Sequence, residues 1–147
     1  MRAAGKTCCA QQDRQMFMII SVLVTGSPVS QQCAQSALSF CTAALASGHT
    51  LYRVFFYEDG VHTGSALTVV PQDERNLNSA WSDFIQQHQL DAVICVASAL
   101  KRGILNNSEA TRYQKPAANL AAGFEISGLG QWVDACLNSD RVVSFGA

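Results

Sequence analysis

The chain has 147 residues, of which 48% are hydrophobic and only 14% charged, and its formal net charge is −1. That length suits one domain with a real core, and so little charge points either to apolar surface for a partner subunit to cover or to a small, Ala-rich core that lowers the charged fraction. With no Lys/Arg run to neutralise phosphates, direct nucleic-acid binding is not expected; no apolar stretch reaches the roughly 18 residues that suggest a membrane span.

Residues 1–16 show no hydrophobic period and are expected to form a disordered N-terminal extension, with residues 17–147 as a single domain. Met16 and Met18 stand just before the first apolar run, and translation is expected to begin at one of them. Arg2, Lys6 and Arg14 ahead of Phe17 to Val24 give the outline of a signal peptide. Gln11, Gln12 and Asp13 interrupt that supposed leader, and the run makes a good first strand, so the chain is expected to be cytoplasmic.

Phe17 to Thr25 is continuously apolar and rich in branched residues, the pattern of a strand covered on both faces in a parallel sheet. Gly26, Ser27 and Pro28 break it as a simple turn; without G-x-G-x-x-G or a Walker lysine it is a weak phosphate site. Cys33, Ala34, Ala37, Leu38, Cys41, Ala44 and Leu45 share one helical face, and Gly48 stops that helix. Leu51 to Tyr57 is a second strand, turned by Glu58, Asp59 and Gly60. Residues 61–75 read as irregular, with Leu67, Val69 and Val70 either under the next helix or facing a partner. Leu77, Ala80, Trp81, Phe84, Ile85 and His88 form the next helical face, and Ala92 to Ala97 a third buried strand.

Ser108 to Tyr113 is expected to be a short helix capped by Asn107 and ended by Lys115-Pro116. Leu129, Trp132, Val133, Cys136 and Leu137 mark one side of another helix, and Arg141 to Phe145 is the last strand. Strands alternating with helices give an α/β fold, a three-layer α/β/α sandwich around a mainly parallel sheet.

In such sheets reacting groups gather at the carboxyl ends of the strands. Of the six cysteines, Cys95 stands late in the third strand, with Lys101 and Arg102 soon after it to supply a cation. From the residues alone, a cysteine inside AVICVA reads more readily as an inert core residue. Cys33, Cys41 and Cys136 fall on apolar helix faces as core filler, and Cys8 and Cys9 lie in the tail. No C-x-x-C pair and no zinc spacing occurs. His49 is expected to cap the first helix, His62 to be solvated in a loop, and His88 to extend a core-facing row. No Ser/His/Asp set and no carboxylate pair stands out.

The segment from Asp91 to Ile104 resembles the cysteine segment of the TusD/DsrE family, approximately C-V-A-A-A-x-R-R-G. Further blocks match in order: Gly48-His49, Val54 to Tyr57, Asp59-Gly60-Val61, Ile126 to Gly130, and Asp140 to Val143. The resemblance covers about residues 17–147 and implies a DsrE-like fold and a sulfur relay. In that relay Cys95 accepts a sulfane sulfur as a persulfide from a TusA-like donor and passes it to a TusE-like acceptor, toward 2-thiolation of wobble uridine in tRNA. It further implies a heterohexamer with TusB-like and TusC-like subunits, and a sulfurtransferase that needs no metal or organic cofactor. Three departures stand out: Lys101 where arginine is frequent, Ser98 where alanine is usual, and a loosely matching loop from Gly26 to Gln31. Alternatives are a DsrE-type role in dissimilatory sulfur oxidation, a non-catalytic assembly subunit, and a flavodoxin-like nucleotide module resting on the α/β pattern alone.

Overall fold

Branched apolar residues from Ile19 onward have nowhere to go but a sheet buried on both sides, and they form β1 (Ile19–Val24). The structure is a computed structural model that describes residues 17–146. The expected extension at residues 1–16, with Cys8, Cys9 and Met16, lies outside the described residues. The run after it, which outlines a signal peptide in the sequence, is an inner strand of the sheet.

Five strands make that sheet: β1, β2 (Thr50–Phe56), β3 (Ala92–Cys95), β4 (Phe124–Ser127) and β5 (Arg141–Phe145). Their order is β4-β3-β2-β1-β5, with parallel pairing throughout. The helices are α1 (Cys33–Ala46), α2 (Leu77–His88), α3 (Val96–Lys101), α4 (Asn107–Arg112) and α5 (Gly130–Leu137). Helices α1 and α2 bury one face of the sheet, where Val22, Val24, Val54, Phe56 and Ile94 meet Ala34, Ala37, Cys41, Trp81 and Ile85. Trp81 sits edge-on to Phe56 at 5.2 Å and donates its indole N–H to the Ala34 carbonyl at 3.1 Å, so its one polar atom is satisfied in the core. Helix α5 covers the opposite face, completing three layers.

Helix α1 ends as expected at Gly48, whose φ of +83° lets its N–H reach the Leu45 carbonyl while the His49 N–H reaches that of Ala44. Helix α3 closes the same way: Gly103 at φ +71° turns the chain, the Ile104 N–H bonds to the Ala99 carbonyl, and Ile104 is buried.

The structure departs from the sequence reading in five places. The third strand stops at Cys95, and α3 begins at Val96 rather than after Ala97. Strand β4 was not expected: its four residues include Glu125, and only the pairing of Ala92 with Phe124 through Cys95 with Ser127 fixes it. A 3-10 helix spans Glu58–Gly64 where irregular chain was expected, and it buries Val61. Asn106, not Asn107, caps α4, its side chain accepting from the Glu109 N–H at 2.8 Å. Leu67 and Val69 are exposed and do not pack under α2.

Gly60 shows how tightly β1 and the turn after β2 approach. Its N–H donates to the Thr25 carbonyl at 2.9 Å, and any Cβ there would strike the Val24 carbonyl oxygen. Backbone cannot swing aside as a side chain does, so Gly60→Ala is expected to cost about 1–3 kcal/mol, the scale of an overpacked core. Urea unfolding measures it; a midpoint equal to that of the unmodified chain would show that the turn can shift freely.

Candidate active site

Cys95 is the last residue of β3 and occupies the N-cap position of α3 with extended backbone angles, φ −60° and ψ 121°. Its side chain makes no capping hydrogen bond. The period of two along β3 sends Ile94 into the α1/α2 core and Val93 and Cys95 to the other face. There Cys95 is only 1% exposed, within a small apolar cluster of Phe55 and Val93 ringed by Leu23, Tyr57 and Trp132. Its register partner Ser127 lies on the unexpected strand β4, one of the residues of the Ile126 to Gly130 block.

The loop ends beside β3 are tied together by polar contacts. Arg102 donates from Nε to Asp59 at 2.8 Å and from Nη1 to the Ser98 carbonyl at 3.3 Å. The Ser98 hydroxyl accepts from the Glu58 N–H at 3.2 Å, and Glu58 holds a left-handed φ of 49°. Two blocks distant in sequence, Asp59-Gly60-Val61 and Arg102-Gly103, are thus one unit in space. The serine that departs from the usual alanine satisfies a backbone donor there. Sequence reasoning offered Arg102 as a cation for the sulfur; the structure commits it to Asp59 instead. Lys101 lies with Leu100, Tyr113 and Lys115 on an open groove of about 660 Å³ whose lining does not include Cys95.

Helix α5 is fixed over the Cys95 face by a buried guanidinium. The register between β1 and β2 shifts at Ile20/Ser21: Ile20 pairs with Leu51 and Ser21 with Arg53, so Tyr52 is the extra residue of a bulge. Arg53, its side chain 10% exposed, donates to Asp91 at 2.6 and 2.8 Å, to Asp134 at 2.9 Å and to the Gln131 carbonyl at 2.6 Å. The Tyr52 hydroxyl donates to the same Asp134 at 2.8 Å. Desolvation by burial works against the Arg53 charge, but Asp91 and then Asp134 outweigh it and raise its pKa. Trp132, one residue past Gln131, lies 5.8 Å from the Phe55 ring.

Of the apolar side expected for α5, only Trp132 packs inward. Ala135 is its buried residue, while Val133 and Leu137 are 57% and 80% exposed and Cys136 is exposed too. The sheet beneath presents Tyr52 and Arg53, so Asp134 turns inward beside Trp132, and the rest of the expected apolar stripe, Leu129, Val133, Cys136 and Leu137, turns out. Cys136 is therefore not core filler. Cys33, the first residue of α1, is partly exposed beside Gln31, which also corrects its expected place in the core. Cys41 does lie in the core, where desolvation pushes its thiol up to about 12. His49 closes the end of α1 through its backbone N–H, while Nδ1 accepts from the Met18 N–H at 3.3 Å. His88 does not extend the core-facing row: it is exposed at the end of α2, packed against the Phe84 ring at 4.7 Å. Among the described residues no group of three His, Cys, Asp or Glu is placed to hold a metal ion, and no helix is long and apolar enough to cross a membrane.

A five-stranded parallel sheet with α1 and α2 on one face and α5 on the other is a three-layer α/β/α protein. The chain belongs to the DsrE/DsrF-like family, which matches residues 18–145. It is 51% identical to the Sulfurtransferase TusD homolog of Pseudomonas aeruginosa over 119 residues, 81% of this chain and 91% of that one. It is 46% identical to Sulfurtransferase TusD of Salmonella enteritidis over 128 residues, 87% of this chain and 100% of that one. A relative bearing the DsrE name in Allochromatium vinosum is 44% identical over 129 residues, 88% of this chain and 99% of that one. The crystal structure of the ychN protein from E. coli superposes with a TM-score of 0.67 at 21% identity, over 88% of this chain and 100% of that one, and shares the fold. These relatives place the chain among sulfurtransferases.

The Tyr52 phenol is raised above its ordinary value, first by its hydrogen bond to Asp134 and then by desolvation. A raised pKa means that this contribution to stability is complete below the unfolded phenol's value of about 10 and is lost as pH climbs through the folded one. Phenolate absorbance should therefore show one tyrosine titrating late, and Asp134→Ala should make it titrate earlier; a phenol equally late in that variant would remove the cause assigned here.

Proposed function

We propose that Cys95 carries a sulfane sulfur as a persulfide between two other proteins. The observation that supports this most is its position: it ends an inner strand of a parallel sheet, where reacting groups collect, inside the segment that resembles the family's cysteine segment. The Cys95 thiolate attacks the outer sulfur of a donor persulfide. A new S–S bond forms at Cys95, the donor's S–S bond breaks, and the donor leaves as a thiolate with the bonding pair. Charge and oxidation state balance, so no oxidant, metal or organic cofactor enters. The reverse exchange loads the acceptor.

By analogy with the TusD-named relatives, the donor is TusA-like, the acceptor TusE-like, and the product the 2-thiolated wobble uridine of tRNA, made in the cytoplasm. TusB-like and TusC-like subunits would complete a heterohexamer, in which this chain meets proteins rather than RNA. The relative bearing the DsrE name supports a second reading of the same chemistry, in dissimilatory sulfur oxidation. A third, a non-catalytic assembly subunit, draws on the burial of Cys95.

Incubation with a persulfide donor, followed by peptide mass analysis, tests the carrier role. The expected result is a gain of one sulfur on the Cys95 peptide that is absent from Cys95→Ser, while Cys33 and Cys136 remain as internal comparisons. An adduct that survives the substitution, or none on the native chain, would favour the assembly reading. Co-purification of two smaller homologous chains tests the proposed complex.

A further inference from the structure

Exchange at sulfur needs an open line to the thiol, yet the Cys95 side chain is sealed. The cover is not the main core. Cys95 shares a small cluster with Phe55 and Val93, against which the partly buried Leu23, Tyr57 and Trp132 pack, and Trp132, 5.8 Å from the Phe55 ring, comes from α5. Helix α5 is itself held by few groups. Its outer side is bare, its one buried residue is Ala135, and its polar attachments to the sheet run through Asp134 and the Gln131 carbonyl to Arg53 and Tyr52. Gln131 and Asp134 flank Trp132 within one helical turn, so whatever fixes them fixes the indole.

We propose that Arg53 and Asp134 are positioning residues for the Cys95 thiol: their ion pair holds α5 so that Trp132 closes over the sulfur, and release of that pair governs access to it. The inference rests on the reading of Cys95 as a sulfur carrier, which gives the access its purpose. The geometry suits a local release. Arg53 has a second carboxylate, Asp91 at 2.6 Å, which stays on the sheet side when α5 lifts. The guanidinium therefore never loses all its acceptors, and opening avoids the heavy penalty of an orphaned buried charge. The β2 bulge is what makes the clamp double, because it sends Tyr52 and Arg53 to the same carboxylate.

The test compares two buried thiols of the full chain. Native protein is pulsed with iodoacetamide, and alkylation of the Cys95 and Cys41 peptides is followed by mass. Cys41 lies in the α1/α2 core, so only wider unfolding exposes it, whereas lifting of α5 exposes Cys95 alone. In Asp134→Ala the Cys95 rate is expected to rise about fivefold or more while the Cys41 rate stays level. Asp134→Glu, which keeps a carboxylate, should restore slow labelling, and Trp132→Ala should label Cys95 at least as fast as Asp134→Ala. Equal acceleration of both thiols would reduce the pair to a general stabiliser, and an unchanged Cys95 rate in Asp134→Ala would overturn the proposal outright. Loading from a persulfide donor, measured on the same variants, keeps the two readings apart. Loading that speeds up in step with alkylation supports the positioning role. Alkylation that quickens while no variant accepts sulfur would overturn the carrier reading and the role in exchange built on it.

Discussion

A guanidinium withdrawn from water must be met by acceptors on every side, and the thinly covered face of this sheet is organised around that demand. Arg53 is surrounded by Asp91 at the entry to β3, and by Asp134 and the Gln131 carbonyl on α5. Through it, β2, β3 and α5 are held in one geometry without a large apolar interface. The opposite face follows a different logic. There Trp81, Phe56, Val22 and their neighbours exclude water by close packing, and α1 and α2 have no need of buried charge. The fold thus has a rigid side that defines the sheet and a more lightly fastened side that carries the thiol.

The carboxyl end of the sheet repeats the theme at smaller scale. The chain leaves β2 through Gly60, pressed onto the Val24 carbonyl, and leaves β3 through α3. Asp59 and Arg102 tie those two exits together, and Ser98 caps the awkward Glu58 N–H. Gly103 ends α3 by adopting the one backbone conformation that lets Ile104 turn back into the core. The Arg-Gly pair that marks the resemblance therefore does two separate jobs: the arginine joins loops, and the glycine terminates a helix.

Much of this was legible in the sequence, for reasons that differ by element. Strands β1 and β2 and helices α1 and α2 face the main core, so their apolar periodicity reported burial along most of their length and failed only at helix ends, at Cys33 and His88. Strand β4 was not legible, because four alternating residues on a sheet edge carry little pattern and acquire their identity only by pairing with β3. Helix α5 was legible as a helix, but of its apolar stripe only Trp132 faces the sheet, since periodicity reveals a stripe and not what lies opposite it. A bulge that presents Tyr52 and Arg53 to Asp134 is a long-range fact with no local signature. Cys95 was visible as a strand-end thiol. Its burial in a cluster that Trp132 packs against, and the commitment of Arg102 to Asp59, depend on segments that meet only in the folded chain.

The outward stripe of α5 has a colloidal consequence. Leu129, Val133, Cys136 and Leu137 bring no ionised group to it, and the chain as a whole carries a formal net charge of −1 with an isoelectric point near 6.2. Copies of such a protein repel one another weakly, so electrostatics neither shields this patch nor steers anything onto it. Contact made there is governed by dehydration of apolar surface: indifferent to ionic strength, weaker in the cold and firmer on warming.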